Sequence, residues 1–296
     1  MQKTIDTHFH VWCLKDLPWL SGLMVPRIFG PYEAIRRDYL IEEYFAEFSE
    51  EDGIEKAVYV QTNWPKERYE DEVAWVQKTA DESGWPHAIV GYADMTVDDV
   101  RPQLDRLMRY PLIRGVRMQL HWHETPEYRF APSADQVLDP MVLRNISRLK
   151  DYGLSFDLQL FPSQMCHGAQ LVRENPEIDF ILTHSGMLTD LSVATVEAWQ
   201  AGLHEFRGMP NFYAKLSGLG TFVHRNDADL ISYIVDQTIE IFGSEHLMFG
   251  SNFPVEKLWT DYSTLFEAYQ QAVGRHNQAD HENIFYNTAA RVYRPS

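Results

Sequence analysis

Two histidines separated by one residue close the first apolar run of the chain, Ile5-Asp6-Thr7-His8-Phe9-His10. In an extended strand the side chains alternate, so His8 and His10 are expected on one face. Two imidazoles so placed suit one divalent metal ion, zinc or manganese. Without a metal they can jointly grip a substrate carbonyl, and both versions stay open. A third imidazole, His184, follows the apolar Phe180-Ile-Leu-Thr and precedes Ser185-Gly186. A lone histidine at any of these places is as readily structural as chemical. Their common position at a strand end makes one shared site the better reading, with His8, His10 and His184 as the metal set and His184 also assisting proton transfer.

Other polar residues repeat with the same two-residue period. Arg117, Gln119 and His121 offer one face at the end of an apolar run, and Asp157 and Gln159 do so on the next. Asp157 suits a ligand, a base or a partner that orients a histidine, and the sequence does not choose among these roles. Lys215 ends a further apolar run, where it serves either an anionic substrate or a structural ion pair. Trp12, Trp19, Trp64 and Trp122 lie near strand ends, as pocket walls or as core.

These residues need a scaffold that brings many strand ends together. Eight β-rich runs are legible, approximately 4–8, 55–61, 87–93, 113–120, 154–160, 178–184, 212–217 and 246–252. Between several of them lie segments with apolar residues at three- or four-residue spacing, notably 38–50, 67–83, 97–110 and 227–242. Strictly alternating strand and helix predicts parallel strands, and an open doubly wound nucleotide-binding sheet would show a Gly-rich turn after its first strand, which is lacking. The expected fold is α/β, one (β/α)8 TIM barrel spanning 1–296. Barrel chemistry sits on the loops after the strands, so the long irregular stretches 14–36 and 121–139 are expected to cover the site.

Composition narrows the partners. With 45% hydrophobic and 23% charged residues among 296, the chain is globular rather than disordered. A formal net charge of −17 would repel nucleic acid and anionic lipid, so a small molecule is the expected partner; homo-oligomerisation stays open. No apolar run is long enough to span a bilayer and no leader-like segment is seen, which predicts a cytoplasmic protein. Cys13 and Cys166 have no metal or redox spacing and read as reduced thiols.

In this order the motifs resemble the lactonase branch of the amidohydrolase superfamily, with its fuconolactonase-like, sulfomuconolactone-hydrolase-like and pyrone-dicarboxylate-lactonase-like enzymes. The likeness runs from Asp6-Thr-His-Phe-His-Val-Trp12 through Arg114-Gly-Val-Arg117, Gly153-Leu-Ser-Phe-Asp157, Thr183-His-Ser-Gly186 and Lys215-Leu-Ser-Gly218 to Gly250-Ser-Asn-Phe-Pro254. It implies hydrolysis of a sugar-acid or muconate-type lactone. The family's first two histidines then fall on His8 and His10 and its third on His184. Arg117, with Gln119, His121, Lys215 and Trp12, is placed around a substrate carboxylate, and an anionic substrate is expected. One departure stands out. Where the family ends its eighth strand with an Asp that binds metal or activates water, this chain has Asn252, which orients water or a ligand oxygen but takes no proton at neutral pH. The base then falls to His184, His121 or Asp157. Two alternatives follow: a nonoxidative decarboxylase or hydratase on the same barrel, and a ligand-binding barrel that has lost catalysis.

Overall fold

The computed structural model describes residues 3–296. Its eight strands are β1 (Thr4–Phe9), β2 (Ile54–Val60), β3 (Ala88–Gly91), β4 (Ile113–Val116), β5 (Ser155–Leu158), β6 (Phe180–Leu182), β7 (Phe212–Leu216) and β8 (Leu247–Phe249). They pair in sequence order, every pair parallel. The sheet curls round until β8 meets β1, where Asn252 N–H donates to the His8 carbonyl at 2.6 Å and His10 N–H to the Phe253 carbonyl at 2.8 Å. The architecture is the expected single (β/α)8 barrel.

The apolar faces explain the closure. Ile5, Val58, Val60, Ala88, Val90, Ile181, Tyr213 and Met248 form a buried cluster within the barrel, together with Ala289, Val292 and Tyr293. The last three belong to the terminal helix Thr288–Tyr293, which seals the barrel at one end. Chemistry is left to the other. Outside, Val73, Val76 and Ala80 of the helix Tyr69–Ser83 face the strands at helical spacing, and Gly84 ends it at φ 82°. The helix Ala228–Phe242 starts on Asp227, whose carboxylate accepts Leu230 N–H. The other two expected helices are shorter, Arg101–Leu107 and Ile41–Phe45. Pro102 sets the start of the first. No helix of the described residues is long and apolar enough to cross a membrane.

The strands also stop short of their sequence-based ends, at Val116, Leu158, Leu182 and Phe249. The polar residues that follow leave the ladder and form the rim at its C-terminal edge. In β1 the alternation itself is adjusted. Asp6 pairs with Ala57 and Phe9 with Tyr59, so three steps of β1 match two of β2. This bulge lets Ile5 face the inner cluster while Phe9 stacks outward on Tyr44 at 4.1 Å. His8 and His10, flanking Phe9, are turned inward together.

Candidate active site

His8 lies at the centre. It is fully buried and neither ring nitrogen has a hydrogen-bond partner. Its ring centroid stands 5.1 Å from that of His10, edge-on, and 4.8 Å from that of His184. The expected convergence of the three strand ends is therefore what the geometry contains. His10 Nδ1 is 2.7 Å from the Val60 carbonyl, an acceptor only, so Nδ1 carries the proton and Nε2 keeps a free lone pair. His184 Nδ1 is 3.0 Å from Ser217 Oγ and 3.2 Å from the Ser217 carbonyl, which selects the same tautomer.

Two glycines make room. His184 itself turns the chain at φ 55°, and a β-carbon on Gly218, at φ 61°, would stand 2.5 Å from His184 Nδ1. A β-carbon on Gly250 would meet the His8 β-carbon at 2.7 Å. Neither neighbour is a flexible side-chain end. Gly250→Ala is accordingly expected to cost about 1–3 kcal/mol in chemical denaturation and to displace the His8 ring, with a loss of activity of about 100-fold. Wild-type turnover in this variant would mean that the position of His8 is irrelevant to the chemistry.

The field around the histidines holds them neutral. Burial, then the Lys215 charge, pushes His8 well below the ordinary imidazole range. Burial and the Arg117 charge bring His10, His121 and His184 down to about 3. Arg117, itself lowered by burial to about 10, remains charged at neutral pH. Neutral imidazoles are the form that binds a metal or accepts a proton.

These side chains line a cleft of about 800 Å³, open solvent at its mouth included. His8, His10, Trp12, Arg117, Gln119, His121, His184 and Asn252, all expected from the sequence, border it. So do Trp19 and Phe29 from the 14–36 stretch and Phe130 from the 121–139 stretch, as loops over the site should. Several polar atoms at the cleft are buried without protein partners: Arg117 Nε, Gln119 Oε1, His121 Nδ1, Gln159 Oε1 and Gln61 Nε2. Buried polar atoms are normally paired, so this set is poised for water or ligand.

Asp157 and Lys215 are not among the residues bordering the cleft. They pair with each other at 2.7 Å, both fully buried, and Tyr293 Oη donates to Asp157 at 2.6 Å. Lys215 also lies over the Tyr293 ring at 4.9 Å. Trp64 and Trp122 are likewise elsewhere, Trp64 against Trp75 and Trp122 under Arg129.

Asn252 follows β8 at φ 58°. Val255 and Glu256 N–H groups both reach its carbonyl, forming a helical turn that sets residue 256 opposite residue 252. Asn252 Nδ2 is 3.5 Å from Glu256 Oε1, and Trp259 Nε1 donates to Glu256 Oε2 at 2.8 Å. Glu256 is fully buried, and burial raises its carboxyl to about 7. Sequence reasoning missed Glu256, although the four-residue spacing from Asn252 was a usable signal. It also missed Arg27 and Thr221, which sit in irregular loops.

The donor set suits a metal chemically: three neutral imidazoles, two with their second nitrogen held by a backbone carbonyl or hydroxyl, and His8 wholly without partners. Among the described residues no three His, Cys, Asp or Glu side chains form a ready-made metal cluster. His8, His10 and His184 are the residues that would hold one.

The amidohydrolase family model matches residues 5–294. The chain belongs to that family. A protein of Sinorhizobium fredii known as y4mH is 34% identical, with 98% of each chain covered. The L-fucono-1,5-lactonase of Burkholderia ambifaria is 24% identical over 99% of this chain and 96% of its own length. An amidohydrolase from Burkholderia multivorans, solved with bound zinc, superposes with a TM-score of 0.81 at 24% identity, covering 99% of this chain and 100% of that one. The expected kinship is thus present along nearly the whole sequence, and the chain is an enzyme of this hydrolase family.

Proposed function

We propose that this chain opens a small carboxylated lactone by adding water to the ring carbonyl. The observation that carries the reading is the convergence of three neutral imidazoles, with unpaired nitrogens, on a cleft that also presents the unpaired Arg117 Nε. The lactonase and the zinc-bound amidohydrolase among the relatives support it.

In this reading Arg117 holds a carboxylate of the substrate, and the aromatic walls Trp12 and Trp19 hold the ring. The carbonyl sits at His8 and His10, with Asn252 orienting the attacking water. Water oxygen bonds to the carbonyl carbon, the ring C–O bond breaks, and a hydroxy acid results. His184 Nε2 is weakly basic in the empty cleft because burial and Arg117 disfavour its charge. A developing oxyanion beside it offsets both, so the same nitrogen takes the water proton and returns it to the leaving ring oxygen. A zinc or manganese ion on the three histidines would supply Lewis-acid polarisation and a more acidic water. His184 Nε2 cannot ligate and accept the proton at once, so the two versions are separable.

A pH-indicator assay across sugar-acid and muconate-type lactones, with mass analysis of products, tests the proposal. Products one water heavier than substrate are expected. Asn252 also favours a second reading, since decarboxylation needs no base to activate water; release of carbon dioxide would select it. Activity that survives exhaustive chelation assigns the proton step to His184, and activity restored only by zinc or manganese assigns it a ligand's place.

A further inference from the structure

Arg27 lies in the loop after β1 and borders the cleft. Its Nε is buried without a hydrogen-bond partner, and among the described residues its guanidinium makes no ion pair. The arginines of the neighbouring loops are engaged otherwise. Arg36 donates to the Leu20 and Gly22 carbonyls, and Arg129 to the His123 carbonyl. Arg27 is carried instead over the Trp19 ring at 5.3 Å. That ring is fixed in turn, its Nε1 donating to the Thr62 carbonyl at 2.8 Å. The loop is anchored from across the cleft as well, by His224 Nε2 at 3.3 Å from the Ile28 carbonyl.

The charged residues bordering the cleft are Arg27, Arg117, Arg129 and Glu127, which with neutral histidines leaves two positive charges in excess. The whole chain carries −17. A cationic cleft in so acidic a molecule is a local arrangement, and an unpaired buried guanidinium nitrogen calls for an anion. Arg117 rises from the β4 end, Arg27 from the covering loop, and the aromatic faces of Trp12, Trp19, Phe29 and Phe130 border the same cleft. We infer that the substrate is a flat-ringed dianion, with one anionic group on Arg117 and a second, distal group on Arg27. This deepens the lactonase reading, on which it rests for the reacting end, by excluding neutral and singly charged sugar lactones as preferred substrates.

The test uses binding without turnover, so that it stands apart from the lactonase assay. Isophthalate and terephthalate, rigid dianions of two spans, are titrated against benzoate by quenching of tryptophan fluorescence. At least one dianion is expected to bind about 10- to 100-fold more tightly than benzoate. Arg27→Gln should erase that preference and leave benzoate affinity unchanged. Arg27→Lys, which keeps charge but not the planar fork, should restore part of it. Equal binding of monoanion and dianions, equal weakening of all three in Arg27→Gln, or no binding of any up to about 10 mM would each overturn the inference. A dianion preference without lactone turnover would instead fail the lactonase reading alone, and lactone turnover without the preference would fail this inference alone.

Discussion

Lys215→Met is expected to lower the unfolding free energy by about 3–5 kcal/mol, because it strands a buried carboxylate. The two partners are fully buried and 2.7 Å apart, with Tyr293 as the other neighbour of Asp157. Neither charge can reach water when its partner is removed. The double variant Asp157→Leu/Lys215→Met removes both charges at similar volume and is expected to recover most of the loss, since the desolvation cost goes with them. Denaturant titration of the three proteins gives the cycle. For folded Lys215→Met, KM for the lactone substrate should change little. A large rise in KM with unchanged stability would restore Lys215 to the role of substrate anchor and remove the pair from the structural account.

That pair illustrates what could be read in advance and what could not. Alternating apolar runs and helical spacings suffice for the barrel, because burial on both faces of a parallel strand leaves a plain pattern. The catalytic end followed from strand ends alone, and the residues with period-two spacing, Arg117, Gln119 and His121, did come to one cleft. The depth along the barrel axis was not legible. Asp157 and Lys215 sit within the strands β5 and β7, whereas Gln159 and Ser217 follow them. A shift of two residues separates an ion pair beneath the cleft's lining from groups at its border. The β1 bulge was equally hidden, since ordinary alternation already put His8 and His10 on one face, although it would also have aligned Asp6 with them. Instead Asp6 accepts hydrogen bonds from Tyr44 and Tyr262. Arg27 had no periodic pattern to mark it, because an irregular loop encodes position through tertiary contacts.

The largest response at the site itself is expected from restoring the carboxylate at position 252. Asn252 stands 3.5 Å from Glu256, which is fully buried. Asn252→Asp would set two carboxyl groups against each other, and two like charges at about 4 Å repel by roughly 4 kcal/mol at an effective dielectric of 20. One proton should therefore be retained between them, and the variant should lose stability as alkali removes it. Even in the wild type, burial lifts the Glu256 carboxyl to about 7. The folded state holds that proton more tightly than the unfolded chain, so stability should fall as pH rises from about 4.5 to 7, by on the order of 3 kcal/mol, and then level off. Glu256→Gln should flatten that part of the profile. The double variant Asn252→Asp/Glu256→Gln should relieve the repulsion, regain stability at alkaline pH, and offer a single carboxylate as base to the attacking water. Asn252→Ala, which only removes an orienting amide, should lower kcat by about 10- to 100-fold with a smaller change in KM. If Asn252→Asp is as stable as the wild type across the pH range with Glu256 in place, the two side chains do not share one buried environment. The Asn at this position would then owe nothing to its neighbour.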